Sequence, residues 1–379
     1  MFDERPPTHT TGAKARPKHK PNHPEQGAEQ APLGKACENG GPLGCENTRR
    51  KGFRRQRQAA HILGKQRVGK CCWSVSGTTT GATFQATKGG EKVGIHGLQT
   101  CGSVWHCPVC SGRISEVRRR EMNTALENAR KQGLSVFLVT LTFRHSAGEP
   151  LAETLEALKV AAKSWREHRA FKRFRKAGLV GTIVATELTH GSNGWHPHLH
   201  ILVFWEGGKA EGQAALEALR EPWLASLAGR GRTGMGAAYD VQDGTQAGQY
   251  VAKWGAAEEM TLGNKKEGKR AGRSPFQLLD SAAFSRSDRA LFFEYGLAVK
   301  GRRQLVWTRG LKDRFGVDDV SDEAAAEAVE DLPVPLLHLA TKEWSKARVK
   351  GRANLCEAGE RAGTKGIVEA IRDGPNIER

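Results

Sequence analysis

LVGTIVATELTHGSNGWHPHLHILVFW (179–205) is the stretch from which the fold can be read. LVGTIVATEL (179–188) is an apolar, β-branched run, HGSNGW is rich in turn formers, and HLHILVFW (198–205) is apolar again, so two strands flank a turn. Working outward, SVFLVTLTF (135–143) reads as a buried strand. PLAETLEALKVAAKSWREHRAFKRF (150–174) reads as a helix with Leu151, Leu155, Leu158, Ala162 and Trp165 at helical spacing. QAALEALREPWLASL (213–227) is a second amphipathic helix, GAAYDVQD (236–243) a short strand and TQAGQYVAKW (245–254) a third helix. The order β-α-β-β-α-β predicts an α+β fold with a ferredoxin-like/RRM-like antiparallel sheet, helices on one face and the opposite face free to carry a site.

The 379 residues suffice for a sizeable domain and a smaller one. Lys and Arg outnumber Asp and Glu by 59 to 41, and the net charge of +18 favours a polyanionic partner, nucleic acid or anionic lipid. No apolar run is long enough to span a bilayer, and MFDERPPTHT lacks the apolar core of a secretory signal, so a soluble, cytoplasmic protein with no membrane partner is expected. The chain divides into a disordered basic tail (1–60), a cysteine-rich segment (61–132), a domain of alternating strand and helix patterns (133–260) and a basic, helical C-terminal region (261–379) that partly extends that domain. Within that last region the acidic DRFGVDDVSDEAAAEAVEDL (313–332) and the basic sequence after it say nothing about chemistry.

In WHPHLHILVF (195–204), His196, His198 and His200 alternate with other residues. On a strand, alternate side chains share a face about 7 Å apart, so these imidazoles converge. A single histidine is more often a hydrogen-bonded core residue, but three in alternation before an apolar run point to a metal. Glu187, on the preceding strand, would lie beside them in a hairpin.

HPHLH (196–200) matches the His-hydrophobic-His signature of the HUH endonucleases, and with VTLTF (139–143) before it and YVAK (250–253) after it the chain resembles the plasmid rolling-circle replication initiators. The resemblance implies the HUH endonuclease fold, with Mg²⁺ or Mn²⁺ held by His198, His200 and an upstream acid that would be Glu187; His196 competes for the third position. It implies a tyrosine nucleophile at Tyr250, with Lys253 sharing its helix face three residues on. The enzyme would nick one strand at a plasmid origin through a 5′-phosphotyrosine, transfer strands, and leave a 3′-OH primer for host helicase and polymerase. A transposase or relaxase of the same group would share this chemistry, and a zinc-stabilised repressor would bind origin DNA without cutting it.

The chain has three tyrosines; Tyr239 reads as core and Tyr295 follows FFE in a later helix. Many family members carry Glu four residues before the nucleophile, where this chain has Gln246, so Asp243, Glu258 or a second tyrosine would have to end the cycle. Cys107-Pro-Val-Cys110 has zinc-knuckle spacing, and Cys101 with one of Cys71 or Cys72 completes four ligands for a structural Zn²⁺, His96 and His106 being alternatives. The helix SGRISEVRRREM after it is basic, and RRKGFRRQR (49–57), FKRFRK (171–176) and KKEGKRAGR (265–273) are candidate phosphate contacts. No Walker motif is evident, so ATP hydrolysis is left to a partner.

Overall fold

A computed structural model describes residues 48–244, 272–327 and 332–378. Its central hairpin joins β-strands Leu179–Gly191 and Gly194–Trp205, paired antiparallel from end to end. The turn closes at Gly194, whose φ of +83° is the left-handed region that favours glycine and whose missing Cβ lets Ser146 O approach.

In chain order the strands are β1 (Gly81–Ala86), β2 (Val93–His96), β3 (Ser135–Leu141), β4 (Leu179–Gly191), β5 (Gly194–Trp205), β6 (Tyr239–Asp243), β7 (Leu305–Trp307) and β8 (Val334–Ala340). Five of them form one antiparallel sheet in the order β6-β3-β5-β4-β7. Between β3 and β4 run α3 (Leu151–Glu167) and α4 (Arg169–Ala177); between β5 and β6 run α5 (Lys209–Glu217) and α6 (Arg220–Ala228). Each pair stands where the sequence predicts one helix. The first breaks at His168, whose extended backbone ends α3 and whose ring accepts from Ala170 N at 3.2 Å. The second restarts just ahead of Pro222, which is tolerated only in a helix's first turn.

The alternation of each strand builds two cores. Phe137, Val139 and Leu141 with Ile201, Val203 and Trp205 pack against Leu158, Ala162 and Trp165 of α3 and Trp223 of α6. The opposite face, expected to be free, is half covered. Helix α2 (Pro108–Lys131) lays Met122, Ala125 and Ala129 over Val136, Leu138, Leu202 and Phe204, joined by Leu311 and Phe315. The basic helix after the cysteines is therefore built into the sheet, and only the end bearing the histidines stays uncovered by that core.

A second sheet, β2-β1-β8, joins chain ends far apart in sequence. It is covered by α11 (Thr341–Ala347) and α12 (Arg352–Asp373), with Phe84 edge-on to Trp344 at 6.3 Å. Residues 334–373 thus complete the N-terminal cysteine module, whereas β7 extends the central sheet. Of the disordered tail expected over 1–60, residues 48–60 instead belong to α1 (Thr48–Leu63), and the rest lies outside the described residues. That helix buries Arg55 and Gln56 and pairs Arg49 with Glu360 at 2.7 Å. The remaining helices are α7 (Pro275–Ser281), α8 (Arg286–Ala298), α9 (Leu311–Arg314) and α10 (Asp322–Glu327).

Candidate active site and metal centre

His196, His198 and His200 lie on the α2 side of β5, and the hairpin register sets Glu187 directly across from His198. His200 Nε2 meets Glu187 Oε2 at 2.6 Å, and its Nδ1 meets the Thr140 hydroxyl at 3.2 Å. Thr142 Oγ1 donates to Pro197 O at 3.1 Å. Both threonines of the Thr-Leu-Thr stretch therefore orient the histidine strand, a support role that the sequence alone did not reveal.

Burial and the neighbouring His196 lower the His198 pKa to about 4, so its imidazole is neutral at physiological pH. Its Nδ1 is buried with no hydrogen-bond partner among the described residues. Burial also lowers His196, with His145 adding to the effect. Glu187 is held below the usual carboxylate range because the hydrogen bond to His200 and the nearby imidazoles outweigh burial, the largest single influence, which acts the other way.

His145, which sequence reasoning passed over, completes the cluster. Its Nδ1 bonds to Asn193 O at 2.8 Å, and its Nε2 faces His196 Nδ1 with the rings 4.5 Å apart. The available signal was its place two residues past VTLTF, at the end of the strand that pairs with β5. Several imidazoles, a carboxylate and an orphaned buried nitrogen fit a divalent cation. The donors stand too far apart to close on one point as placed: among the described residues, only cysteines bring three or more ligand atoms within 4.8 Å of one another.

That group is Cys71, Cys101, Cys107 and Cys110, all buried. Sulfur separations of 3.4, 3.5 and 3.7 Å approach the edge of about 3.8 Å that a tetrahedron with 2.3 Å metal–sulfur bonds would have. Cys107 caps α2, its Sγ accepting from Cys110 N at 3.5 Å. Cys71 takes the fourth place; Cys72, at φ 49°, stands outside the group. The alternatives are excluded: His106 is bonded to Gly296 O at 2.8 Å and Ser103 Oγ at 3.0 Å, and His96 is not in the group. Four thiols so placed can hold a metal ion.

Tyr250, Lys253, Gln246 and Glu258 lie outside the described residues. The other two tyrosines are core residues. Tyr239 donates to Leu216 O at 2.7 Å, and burial pushes its phenol well above the ordinary value. Tyr295 donates to Trp105 O at 3.0 Å and stacks on Trp195. Asp243 pairs with Lys209 at 2.5 Å. Arg273 exchanges backbone hydrogen bonds with His190 and holds Asp288 at 2.7 and 2.8 Å.

The basic clusters differ in availability. Residues 49–57 are tied to Glu357, Glu360 and Asp280, with Arg57 stacked on Trp73. On α2, Arg118 pairs with Glu121 and Asp322, and Arg119 with Glu116. On α4, by contrast, Lys172, Arg173, Arg175 and Lys176 are exposed while Phe171 and Phe174 anchor the helix. Most of 265–273 lies outside the described residues.

Residues 93–214 match the family model described as replication protein. The chain is 28% identical over 319 residues to "Protein rep" of Streptomyces lividans, covering 65% of this chain and 70% of that protein. It is 33% identical over 159 residues to "Neomycin resistance protein" of Streptomyces cyanogenus, covering 35% and 36%. It is also 28% identical over 123 residues to "Protein rep" of Streptococcus pneumoniae serotype 2, covering 31% and 37%. The chain thus spans little more than a third of the latter two relatives. No solved structure matches. The matched segment, which runs from the cysteine module across the histidine hairpin into α5, is thus similar to the family described as replication protein.

Proposed function

We propose that the protein initiates rolling-circle replication by nicking one strand of a plasmid origin, with Tyr250 as nucleophile on an HUH-type, ferredoxin-like sheet. The observation that carries this reading is the hairpin register, which places Glu187 opposite His198 and bonds it to His200 on one face. Two further features support it. The hydroxyls of Tyr239 and Tyr295 are buried and committed to backbone carbonyls, so Tyr250 is the tyrosine left for chemistry. On the described side of that segment, Arg273 is hydrogen-bonded to the histidine hairpin at His190.

Glu187, His198 and His200 would hold Mg²⁺ or Mn²⁺, with His196 and His145 beside them. The ion when bound would polarise the scissile phosphate and offset charge gained in the transition state. The Tyr250 hydroxyl loses its proton to solvent as its oxygen bonds to phosphorus, the bond from phosphorus to the 3′ oxygen breaks, and that oxygen takes up a proton from solvent to become the 3′-OH primer. Lys253 would supply positive charge to the phosphate. The four-cysteine group would hold a structural Zn²⁺, for which four thiolates are suited. Host helicase and polymerase would extend the primer.

The test mixes wild type and Tyr250→Phe with single-stranded oligonucleotides tiled across the origin, with Mn²⁺ or EDTA, and resolves covalent adducts on a denaturing gel. A Mn²⁺-dependent adduct that disappears in the Phe variant is expected. An adduct that survives the substitution, or none on any oligonucleotide, would sink the proposal.

A further inference from the structure

A cavity of about 540 Å³ opens on the other face of the strands that carry the site. It lies between α3, β4, β5 and the segment joining α8 to β7. Leu155, Leu158, Val184, Leu199 and Val306 make its aliphatic floor. Its charged lining is wholly cationic: Lys159, Arg166, Lys300, Arg302 and Arg303, with no carboxylate. Glu156 reaches Lys159 at 3.1 Å and Arg302 at 3.7 Å. Arg166, Lys300 and Arg303 form no ion pair among the described residues. Thr186 adds a hydroxyl and Trp105 an aromatic edge. The loop is fixed, since Trp105 Nε1 donates to Arg302 O at 2.8 Å and Arg302 Nε to Ala298 O at 2.9 Å.

We propose that this cavity binds one unpaired nucleotide of the DNA strand, its base on the aliphatic floor beside Thr186 and its flanking phosphates on Arg166, Lys300 and Arg303. The volume lies within the range of about 300–1,000 Å³ typical of small-ligand sites, too small for a duplex. Apolar walls favour a desolvated base, while a rim of cations without carboxylates favours phosphate. Leu199 alternates with His198 and His200 along β5, so the nucleotide lies one sheet thickness from the histidines. A strand engaging both would pass around the edge strand β7. The inference rests on the proposed function only in taking DNA as the partner.

Binding is measured in a Tyr250→Phe background, where no cleavage occurs, without added Mg²⁺ or Mn²⁺, by anisotropy of labelled single-stranded oligonucleotides over a range of salt. The Lys300→Ser/Arg303→Ser double variant is expected to lower the slope of log affinity against log salt by about 1.4, near 0.7 for each phosphate that is no longer neutralised. Scanning an abasic residue along the oligonucleotide should weaken binding at one position by about fivefold or more. Val306→Trp, at a half-exposed position, should fill the cavity and erase that position's effect. Thermal melting confirms that both variants fold. An unchanged slope, or an abasic profile identical in Val306→Trp, would overturn the proposal. So would a deoxynucleoside monophosphate that binds and is lost in the double variant while the oligonucleotide is unaffected, which would make the ligand a free nucleotide. Failure of the nicking mechanism shows separately, as a wild type that forms no adduct with Mn²⁺.

Discussion

The imidazole of His198 sits among His196, His200 and Glu187, and burial disfavours its charged form. Its pKa falls from the ordinary 6.5 to about 4, so the unfolded chain binds a proton there more readily than the folded one. Above pH 6.5 both states are neutral and the group is indifferent to folding. As pH falls toward 4 the unfolded state is increasingly favoured, by up to about 3 kcal/mol. Urea midpoints of metal-free protein at pH 7.5, 5.5 and 4.5 should therefore fall more steeply for wild type than for His198→Asn. Parallel lines for the two would show that His198 is not buried in its neutral form.

Among elements, α2 does two jobs, since its N-terminal end supplies Cys107 and Cys110 and its last turns cover the sheet. Cys71→Ser should reduce bound zinc, the ion proposed for the cysteine group, from one per chain to near none, measured by elemental analysis, whereas Cys72→Ser should retain it. The reverse result would put Cys72 rather than Cys71 among the ligands. The sequence spacing could offer either cysteine, because neighbours in a chain have equal reach; only the backbone turn at Cys72 separates them. The β-α-β-β-α-β order was legible for a similar reason, since period-2 and period-3.6 patterns are local. The covering of the far face by α2 was not, because α2 meets Val136 and Leu202 through tertiary packing rather than through any local pattern. His145 went unread because its partner, His196, is 51 residues away and meets it only through the β3–β5 register.

At the scale of the described molecule, C-terminal residues clamp the cysteine module. Arg352, fully buried, bonds to Cys72 O at 3.0 Å and Glu378 at 2.7 Å. Trp344 Nε1 and Arg348 Nη1 both donate to Trp73 O at 2.9 Å. Deleting residues 332–379 should therefore release the metal and lower the melting temperature by at least about 10 °C, given about 2–4 °C per kcal/mol. A deletion protein that keeps both its ion and its melting temperature would show the clamp to be dispensable.

The pairing of β1 with β8 also sets a clock. Thr83 and His338, bonded at 2.9 Å across that ladder, are 255 residues apart. At about 5–20 residues per second, a ribosome needs roughly 10–50 s to make the intervening chain. Through that interval Phe84 and the cysteine loops have left the ribosome without the strand and helices that will cover them. The nascent protein must pass that time with those thiols uncovered, and a strand made late closes a module made early.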